Sequence, residues 1–527
     1  MGLFTKEIED LKRFEEIVKI LSEEGFGLVI NRLNLGDKLP LHKKARSKKD
    51  DIPPPERVRR TFEKLGPTFI KFGQILAQRP DIVPEEYVEE LEKLEDSVPA
   101  FESEKAREIV EEELGPIDEV FESFEDEPLA AASIAQVHRA TLHNGDDVVV
   151  KIRRPGIKEQ IRKDLEILEF MAKEGEKHVS KLDTIDAYKS VKEFSEWTKD
   201  ELNLKKEGRN ATILKNNLSE EERVKIPDIY TDLTTEKILV MEYVDGVKCD
   251  DKEALEELEI ESEEVARTAV RAGLKQTVRD GFFHADPHPS NFFISEEGKI
   301  IYLDFGMIGK LSMTTRRNLG LLLLHASNEE VEAAMDVVKR MAKVEEDADL
   351  QGLKNDIEES ILMIRNSTLE EQSITKALFD ITKKAAERGV HMPSSLVILG
   401  KSMLTVEGIG LTIYPEFEMT DEFEKITERL LWEMNSPKKL FKTFMIDLVQ
   451  NRDLVARMPS QVNKALDSSG KGGETTVEVE TGPDRMTILA AVLILTSSFF
   501  LLQSLPQEQM LLVGALEIIL AAYILLR

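Results

Sequence analysis

Apolar positions recur with the period of an α-helix over most of this chain. Near the N-terminus, one face of an amphipathic helix is marked by Ile8, Leu11, Val18 and Leu21. Such a helix could lie on a membrane or pack against the protein body. In the second half of the chain, similar patterns predict helices at 317–325, 331–341, 357–364 and 396–410. The last of these is predominantly apolar and predicts a buried core helix that ends at Gly408 and Gly410.

Two shorter runs have the composition of buried strands. Residues 147–152 read DVVVKI, a β-branched run that ends in Lys151. Residues 237–244 read KILVMEYV, and Asp245-Gly246 then provides residues typical of a turn. Helices and strands therefore both contribute to the predicted fold.

The C-terminal segment differs in kind from the rest. A polar, Gly-containing linker at 467–485 precedes two long apolar runs, at 488–505 and 510–526. Each run approaches the length that crosses a bilayer as a helix, so a transmembrane hairpin is predicted at 486–527. Arginines flank its open end, which by the positive-inside rule places the protein body on the cytoplasmic side of the cell membrane. The alternative is a buried helix pair used to form a homodimer.

The charge of the chain argues against a nucleic-acid partner. Asp and Glu number 101 against 71 Lys and Arg, a formal net charge of -30, whereas nucleic-acid binders present basic surfaces. A local basic run at 43–49 could contact anionic lipid headgroups or be a solvated linker. The N-terminus lacks the apolar core of a secretory signal. With the single Cys249, no intramolecular disulfide can form.

The richest chemistry lies in residues 284–306, HADPHPSNFFISEEGKIIYLDFG. Asp286 and Asn291 have the spacing of a kinase catalytic loop, and Asp304 opens a D-F-G sequence after an apolar stretch. Phosphoryl transfer requires a protein to hold Mg²⁺ and to orient an attacking oxygen. The pattern predicts that Asn291 and Asp304 hold Mg²⁺, while Asp286 orients or deprotonates the acceptor hydroxyl or water.

A zinc site is a rival interpretation of the same stretch. His284, Asp286 and His288 alternate, and both residue types are proper zinc ligands. However, the chain has only 8 His and 1 Cys, and no second ligand cluster accompanies these three. The kinase interpretation is therefore favoured, over zinc and over a loop with incidental carboxylates.

The remaining parts of a nucleotide site are predicted upstream. Lys151 ends a strand and would grip the phosphates, and the backbone at Glu242 and Val244 would meet adenine. No glycine-rich loop precedes Lys151; residues 128–138 read PLAAASIAQVH instead. Ala130, Ala131 and Ala132 would form a stiffer cover than glycine, with the Ser133 hydroxyl available to phosphate. Because alanine favours helices, a helix start is the competing interpretation.

This order of motifs resembles the UbiB family of atypical kinases, the aarF-domain proteins. The family signature K-x-G-Q occurs as Lys71-Phe72-Gly73-Gln74, the alanine-rich loop at 130–133, and an E-x-D-like segment as ELNLKKEGRN at 201–210. The resemblance covers roughly residues 50 to 420. Neither K-x-G-Q nor the alanine loop is found in ordinary protein kinases.

The resemblance implies specific roles. Glu207 is similar to the ion-pair partner of Lys151, although Glu166, Glu169 and Glu174 are also available on sequence grounds. Lys71 and Gln74 resemble regulatory residues that pack over the active site, with Lys71 facing Glu201. The second acid of the E-x-D segment is replaced by Asn203. The family also implies ATP or ADP with Mg²⁺ and a role in isoprenoid lipid or quinone metabolism.

The combined prediction is an α+β, two-lobed protein-kinase-like fold, mostly helical. Its domains are an N-terminal helical extension (1–115), a small lobe with a family insertion (116–246), a helical large lobe (247–466), the linker (467–485) and the hairpin (486–527). The predicted function is a membrane-anchored atypical kinase or ATPase that acts beside membrane lipids or a prenylated lipid substrate, with lipid-biosynthesis enzymes as partners. The alternatives are a nucleotide-binding scaffold without turnover and a small-molecule phosphotransferase.

Overall fold

A computed structural model describes residues 10–27, 30, 52–94, 98–178, 186–258, 260–366 and 374–417. All of these residues fall within one compact unit, Met1–Ser436. Ile8, the linker at 467–485 and the hairpin at 486–527 lie outside the described residues.

Helices dominate the described residues before the first strand: α1 (Leu11–Glu23), α2 (Pro54–Leu65), α3 (Pro67–Ala77), α4 (Glu85–Leu91), α5 (Ser103–Leu114) and α6 (Ile117–Val120). Asp10 caps α1, its carboxylate accepting a hydrogen bond from the Arg13 backbone N–H at 3.0 Å. The sharp turn between α2 and α3 is made by Gly66 at φ +97° and Pro67 at the first helical position.

The N-terminal helix packs against the protein body. Phe14, Ile17 and Val18 are fully buried, and Phe14 meets Phe170 edge-on at a ring-centroid distance of 6.0 Å. Leu11, one of the predicted apolar-face positions, is instead 49% exposed. Val18 and the partly buried Leu21 lie on the predicted face, so among its described positions Leu11 departs from the prediction.

An antiparallel sheet follows, with strands β1 (Phe121–Phe124), β2 (Ala130–Ala131), β3 (Ala135–Leu142), β4 (Asp147–Arg153) and β6 (Ile238–Glu242). The order is β1-β3-β4-β6, and β2 pairs with β3. Between β4 and β6 the chain forms α7 (Ile157–His178), α8 (Ala187–Glu201), α9 (Leu204–Asn217) and the short strand β5 (Val224–Lys225). Val148, Val150 and Ile152 of β4 are fully buried, as their β-branched alternation predicts.

The next segment combines helices with short strands: β7 (Val247–Lys248), α10 (Lys252–Glu257), α11 (Ser262–Leu274), a π-helical turn (Lys275–Asp280), β8 (Phe282–His284), a 3₁₀ turn (Pro289–Asn291), β9 (Phe292–Ile294), β10 (Ile300–Tyr302) and β11 (Ile308–Lys310). The strand β10 pairs antiparallel with β9, and β11 pairs antiparallel with β8. The two ladders flank the residues that carry the candidate chemistry.

The described chain ends in helices and one small ladder: α12 (Met313–Ser327), α13 (Val331–Met341), β12 (Lys343–Val344), α14 (Leu350–Asn366), α15 (Ile374–Glu387), β13 (Val390–His391) and α16 (Ser394–Ile413). Helix α16 packs on α11 within the largest apolar core. The predicted helix end at Gly408 and Gly410 is wrong, because α16 continues to Ile413. Its packing on neighbours outweighs the weak helix propensity of glycine.

Within the described residues, one helix is long and apolar enough to cross a membrane, and it is α16. Leu396, Val397, Ile398 and Leu399 are all buried against other parts of the protein. The architecture of the described chain is thus mostly helical with mixed sheets.

Candidate active site

A β-hairpin brings two of the predicted metal ligands to one end. Tyr302 of β10 pairs with Phe292 of β9, and the Leu303 N–H donates to the Asn291 carbonyl at 3.0 Å. Asn291 and Asp304 therefore lie immediately beyond the paired end of the hairpin, although 13 positions separate them in the sequence. The Asn291 side-chain amide donates to the backbone carbonyl of Asp286 at 3.3 Å, which ties the catalytic-loop segment to the same place.

Lys151 reaches this place from the small sheet. The Lys151 Nζ lies 2.7 Å from Glu207 Oε1 and 3.6 Å from Asp304 Oδ1. Glu207 lies in the first turn of α9 and is 2% exposed. Strand β4, helix α9 and the segment after β10 thus each contribute one charged group to a single cluster.

The contacts of Lys151 distinguish between the four glutamates that the sequence offers as its ion-pair partner. Glu166 pairs with Arg162 and Glu174 pairs with Lys177, both within α7. No contact between Lys151 and Glu169 is found among the described residues. Of the four, Glu207 contacts Lys151, as the resemblance implies.

The cluster shifts the protonation equilibria of its members. Burial raises the pKa of Glu207 to about 7, against the opposing charge of Lys151. Burial works against ionised Asp304 too, but Lys151 and the Gly306 N–H, 2.9 Å from its Oδ1, hold the pKa of that carboxyl well below its usual range. Burial also disfavours charged Lys151, yet Asp304 and Glu207 raise the pKa of its ammonium above the ordinary value. Asp304 and Lys151 are therefore charged at neutral pH.

The donor set fits a magnesium-bound nucleotide. Mg²⁺ prefers oxygen ligands and usually binds through one or two protein carboxylates plus substrate phosphates and waters, and Asp304 and Asn291 supply such oxygens. Two buried oxygens, Glu207 Oε2 and Ser133 Oγ, have no hydrogen-bond partner in the structure. Buried polar atoms normally have partners, so these two mark places where a ligand or water would bind.

The zinc interpretation finds no support in the described part of the chain, where no group of three His, Cys, Asp or Glu side chains is placed to hold a metal. The His284 imidazole is instead buried, with Nε2 2.6 Å from the Asp304 carbonyl oxygen. The His288 Nδ1 lies 2.8 Å from Ser290 Oγ on the surface. The two histidines therefore serve different local contacts.

The alanine-rich segment is a strand and turn, and the competing helix start is wrong. Ala130 pairs with Val137 and Ala131 with Gln136, while the Ala132 N–H donates to the Ala135 carbonyl at 2.8 Å. The partner strand β3 places Val137 opposite Lys151 of β4. Pairing with β3 overrides the helix propensity of alanine, and the turn containing Ser133 lies beyond the Lys151 end of the sheet.

The predicted adenine-facing segment is partly occupied by internal contacts. The Glu242 carboxylate binds Lys225 at 2.6 Å and accepts a hydrogen bond from the Asp228 N–H at 3.0 Å. The Tyr243 N–H donates to the Asp147 carbonyl. Among the described residues, none accepts a hydrogen bond from the Val244 N–H. Of the predicted pair, Val244 retains a backbone donor that adenine could use.

The K-x-G-Q segment forms the middle of α3 and lies beside the site. Lys71 Nζ is 2.7 Å from Glu201 Oε1, and both side chains are nearly nine-tenths buried. The Glu201 methylene chain packs against Gly306, next to Asp304. Gln74 is directed elsewhere, donating to the Leu94 carbonyl at 3.2 Å. The structure therefore brings Lys71 and Glu201 to the cluster and leaves Gln74 on the contact between α3 and the segment after α4.

Asn203, which replaces the second acid of the E-x-D segment, has a local structural role. Asn203 is the N-cap of α9, and its side-chain oxygen accepts a hydrogen bond from the Lys206 N–H at 3.3 Å. Asn is among the best residues at this position. The residue therefore helps to start the helix that carries Glu207.

Sequence reasoning missed several side chains that hold the D-F-G segment. His284 contacts the Asp304 carbonyl, and the His284 backbone is held in turn by Gln276 at 3.0 Å and Ser402 at 2.7 Å. Asn210 of α9 donates to the Phe305 carbonyl at 3.0 Å. The histidine of the H-x-D sequence was a signal for the first contact, whereas no local pattern pointed to Asn210.

Known proteins are similar to this chain over most of its length. The ABC1 atypical kinase-like domain matches residues 93–338, and the UbiB helical domain matches residues 357–418. A protein of Marinobacter nauticus named "Probable protein kinase UbiB" is 33% identical over 80% of this chain and 78% of its own length. An uncharacterized protein of Synechocystis sp., sll1770, is 34% identical over 81% of this chain and 74% of its own.

A plant relative is longer than this chain and is covered over about half of its length. The Arabidopsis thaliana chloroplastic protein "ACTIVITY OF BC1 COMPLEX KINASE 7" is 35% identical over 71% of this chain and 54% of its own length. A solved structure, the Rv3197–erythromycin complex from Mycobacterium tuberculosis, aligns with 23% identity and a TM-score of 0.46 over 66% of this chain and 89% of that chain. On the family matches and the relatives that it covers over most of their length, this chain belongs to the UbiB family of ABC1 atypical kinase-like proteins.

Proposed function

We propose that this protein binds Mg²⁺ with ATP or ADP between the small sheet and the β9–β10 hairpin, and acts as an atypical kinase or ATPase. The observation that carries the proposal is the position of Lys151 Nζ, 2.7 Å from Glu207 and 3.6 Å from Asp304. Three separate elements place these groups together. A lysine held between two acids is a pre-formed site for phosphate once a metal compensates the acids.

Each residue has a distinct proposed role. Lys151 binds phosphate oxygens, and Glu207 fixes the direction of its side chain. Asn291 and Asp304 hold Mg²⁺, which when bound neutralises charge on the phosphates. The Asp286 carboxylate has no hydrogen-bond partner among the described residues and is free to orient or deprotonate an acceptor hydroxyl or water.

In our proposal, the alanine-rich turn covers the bound nucleotide and helix α3 regulates the site. The turn through Ala132 and Ser133 covers the phosphates, and the buried Ser133 hydroxyl donates to one of them. Val244 offers its backbone to adenine. Lys71 and Glu201 form a largely buried pair, and Glu201 lies against Gly306, so a shift of α3 would reach the segment that carries Asp304 through Glu201. Regulation by α3 is the role we propose for the K-x-G-Q segment.

The proposed setting is a membrane. The apolar pattern at 486–527 favours a hairpin anchor, with the kinase-like body on the cytoplasmic side of the cell membrane. Such an anchor keeps the site close to membrane lipids and favours a prenylated lipid of isoprenoid or quinone metabolism as the acceptor or effector. Lipid-biosynthesis enzymes are the expected protein partners.

ATP turnover by the full-length protein in lipid vesicles, with and without a panel of prenylated phenols, tests the proposal. We expect Mg²⁺-dependent turnover that changes with at least one phenol. Asp286→Asn is the matched variant, since it should retain nucleotide-dependent thermal stabilisation and lose turnover. Binding of nucleotide without turnover under every condition would show a scaffold instead, and absence of nucleotide binding would refute the site.

A further inference from the structure

A cavity lies next to the D-F-G segment, and its lining includes none of Lys151, Glu207 and Asp304. It has a volume of about 550 Å³ and is enclosed by α8, α9, β8, β11 and the start of α16. Gly306, Met307 and Ile308, which directly follow Asp304 and Phe305, form one wall. Cavities that take small molecules have volumes of about 300–1,000 Å³, so this one is large enough for a ligand.

The floor of the cavity is apolar and includes exposed hydrophobic surface. Trp197, Phe283 and Ile398 line it, and the Ile213 side chain on α9 opens into it while remaining 43% exposed. Few large aliphatic side chains among the described residues are this exposed. An apolar group placed here would remove Ile213 and the half-buried Trp197 from water.

The lining of the cavity also includes cationic side chains, although the chain has a formal net charge of -30. Arg209 and Lys310 line it, and the Arg209 guanidinium makes no ion pair with any described residue. Two acids also line the cavity, but each lies near a base. Asp200 pairs with Lys206. The negative charge of Glu193 helps to raise the pKa of Arg79, which lines an adjoining cavity of about 220 Å³. Arg209 is thus a cation available to a ligand.

We infer that this cavity binds a single-chain amphiphile with a phosphate head. The head meets Arg209, whose planar guanidinium suits phosphate oxygens, and the chain lies over Trp197 and Phe283. Arg209 is exposed to solvent, so a neutral amphiphile would gain no ion pair with it, and inorganic phosphate would leave the apolar part of the lining in water. The ligand class is therefore defined by both halves together.

The position of the cavity connects it to the nucleotide cluster. Asn210, in the cavity wall, donates to the Phe305 carbonyl, and the same helix carries Glu207. An occupant therefore contacts both α9 and the residues that follow Asp304. By linkage, a ligand that favours one arrangement of these elements changes nucleotide affinity, and nucleotide changes its affinity by the same factor. This coupling rests on the proposed function, whereas the binding of the amphiphile does not.

The chain offers a direct optical test. It contains two tryptophans, Trp197 and Trp432, so Trp432→Phe leaves Trp197 as the only one. In that background, full-length protein in zwitterionic nanodiscs is titrated with 8-bromooctyl phosphate, with 8-bromooctanol and inorganic phosphate in parallel. Bromine quenches tryptophan fluorescence on contact, so saturable quenching reports occupancy of this cavity. We expect the phosphate amphiphile to bind at least tenfold more tightly than the alcohol.

Two matched variants separate the site from non-specific partitioning. Arg209→Gln should weaken the phosphate amphiphile at least tenfold and leave the alcohol unchanged. Lys205→Gln removes the same charge from the same helix outside the cavity and should leave both unchanged. Equal quenching in Arg209→Gln and its parent would overturn the site. If the amphiphile binds as expected but ADP affinity is the same with and without it, the coupling is overturned. If the amphiphile binds and the protein does not bind ADP at all, the result counts against the proposed function only.

Discussion

The charges of three residues govern the candidate site. Lys151, Glu207 and Asp304 come from three elements, and their proximity holds Asp304 and Lys151 in charged forms while burial raises the pKa of Glu207 to about 7. A buried carboxylate with such a pKa exists in both protonation states near neutrality. Perturbed groups of this kind are common at functional sites.

Removing the charge of Asp304 should weaken nucleotide binding. Asp304→Asn deletes a charged metal ligand but keeps the shape of the side chain. We expect at least a tenfold loss of Mg²⁺-ADP affinity, about 1.4 kcal/mol, measured by nucleotide-dependent thermal stabilisation. Asp336→Asn, on the exposed side of α13, is the control for a lost negative charge. Unchanged stabilisation in Asp304→Asn would count against the metal role.

The raised pKa of Glu207 predicts a pH-dependent stability. Its value is about 7 in the folded protein against 4.5 for an ordinary Glu, so the folded state binds the extra proton between these values. Stability contributed by this group is therefore present at low pH and is lost as pH rises toward 7. The difference in unfolding free energy between the parent and Glu207→Gln should fall over this range and then level off. Urea denaturation across pH 4.5 to 8 measures this difference in unfolding free energy. A difference that does not change with pH would contradict the raised pKa of Glu207.

At the scale of elements, α3 links the N-terminal helices to the site. Thr68 on α3 donates to the fully buried Asp164 at 2.7 Å, and Asp164 also accepts from Arg13 of α1 at 2.6 Å. Three positions after Thr68, the same helix places Lys71 against Glu201. The helix is therefore fixed at both its start and its middle.

The ion pair between Lys71 of α3 and Glu201 of α8 should show strong energetic coupling in a double-mutant cycle. Lys71→Met or Glu201→Gln alone leaves a largely buried charge without its main partner, which is costly. The double variant should be less destabilised than the sum of the single ones, with a coupling of about 0.5–3 kcal/mol. Urea denaturation of the four proteins measures this value, and strict additivity would show that the pair does not hold α3 in place.

The glycine of K-x-G-Q should be required for helix packing. A Cβ added at Gly73 would overlap Leu94 and would lie 2.7 Å from Phe62 Cδ2, so Gly73→Ala should cost about 1–3 kcal/mol. Gly408, exposed in the middle of α16, has nothing within 4 Å of an added Cβ. Gly408→Ala should therefore stabilise the protein by up to about 1 kcal/mol. Thermal unfolding compares the two, and similar effects would refute close packing at Gly73.

At the scale of the whole molecule, the apolar helix of the described chain and the predicted anchor play different roles. Helix α16 passes a membrane criterion of length and composition, yet it packs on α11 in the core and supports His284 through Ser402. Membrane attachment is therefore assigned in our proposal to residues 486–527.

Deleting residues 486–527 should release the protein from membranes, because two apolar runs provide far more membrane affinity than an amphipathic helix. The measurement is co-sedimentation with vesicles, with the intact chain as the control. Retention of the truncated protein on vesicles would transfer the anchor to the N-terminal region or its basic run at 43–49.

Local sequence determined the parts of this protein that depend on neighbours in the chain. The β-branched run produced β4, the apolar period produced α13, and the spacing from Asp286 to Asp304 produced a loop and hairpin, because side-chain sterics and periodic burial act over short distances. Local propensity failed where packing opposed it, at the alanine strand and at the glycines of α16. Tertiary structure alone decided that Glu207 among four glutamates meets Lys151, that Gln74 turns away, and that Asn210 holds Phe305. Such choices depend on contacts between elements distant in the sequence, which no local pattern encodes.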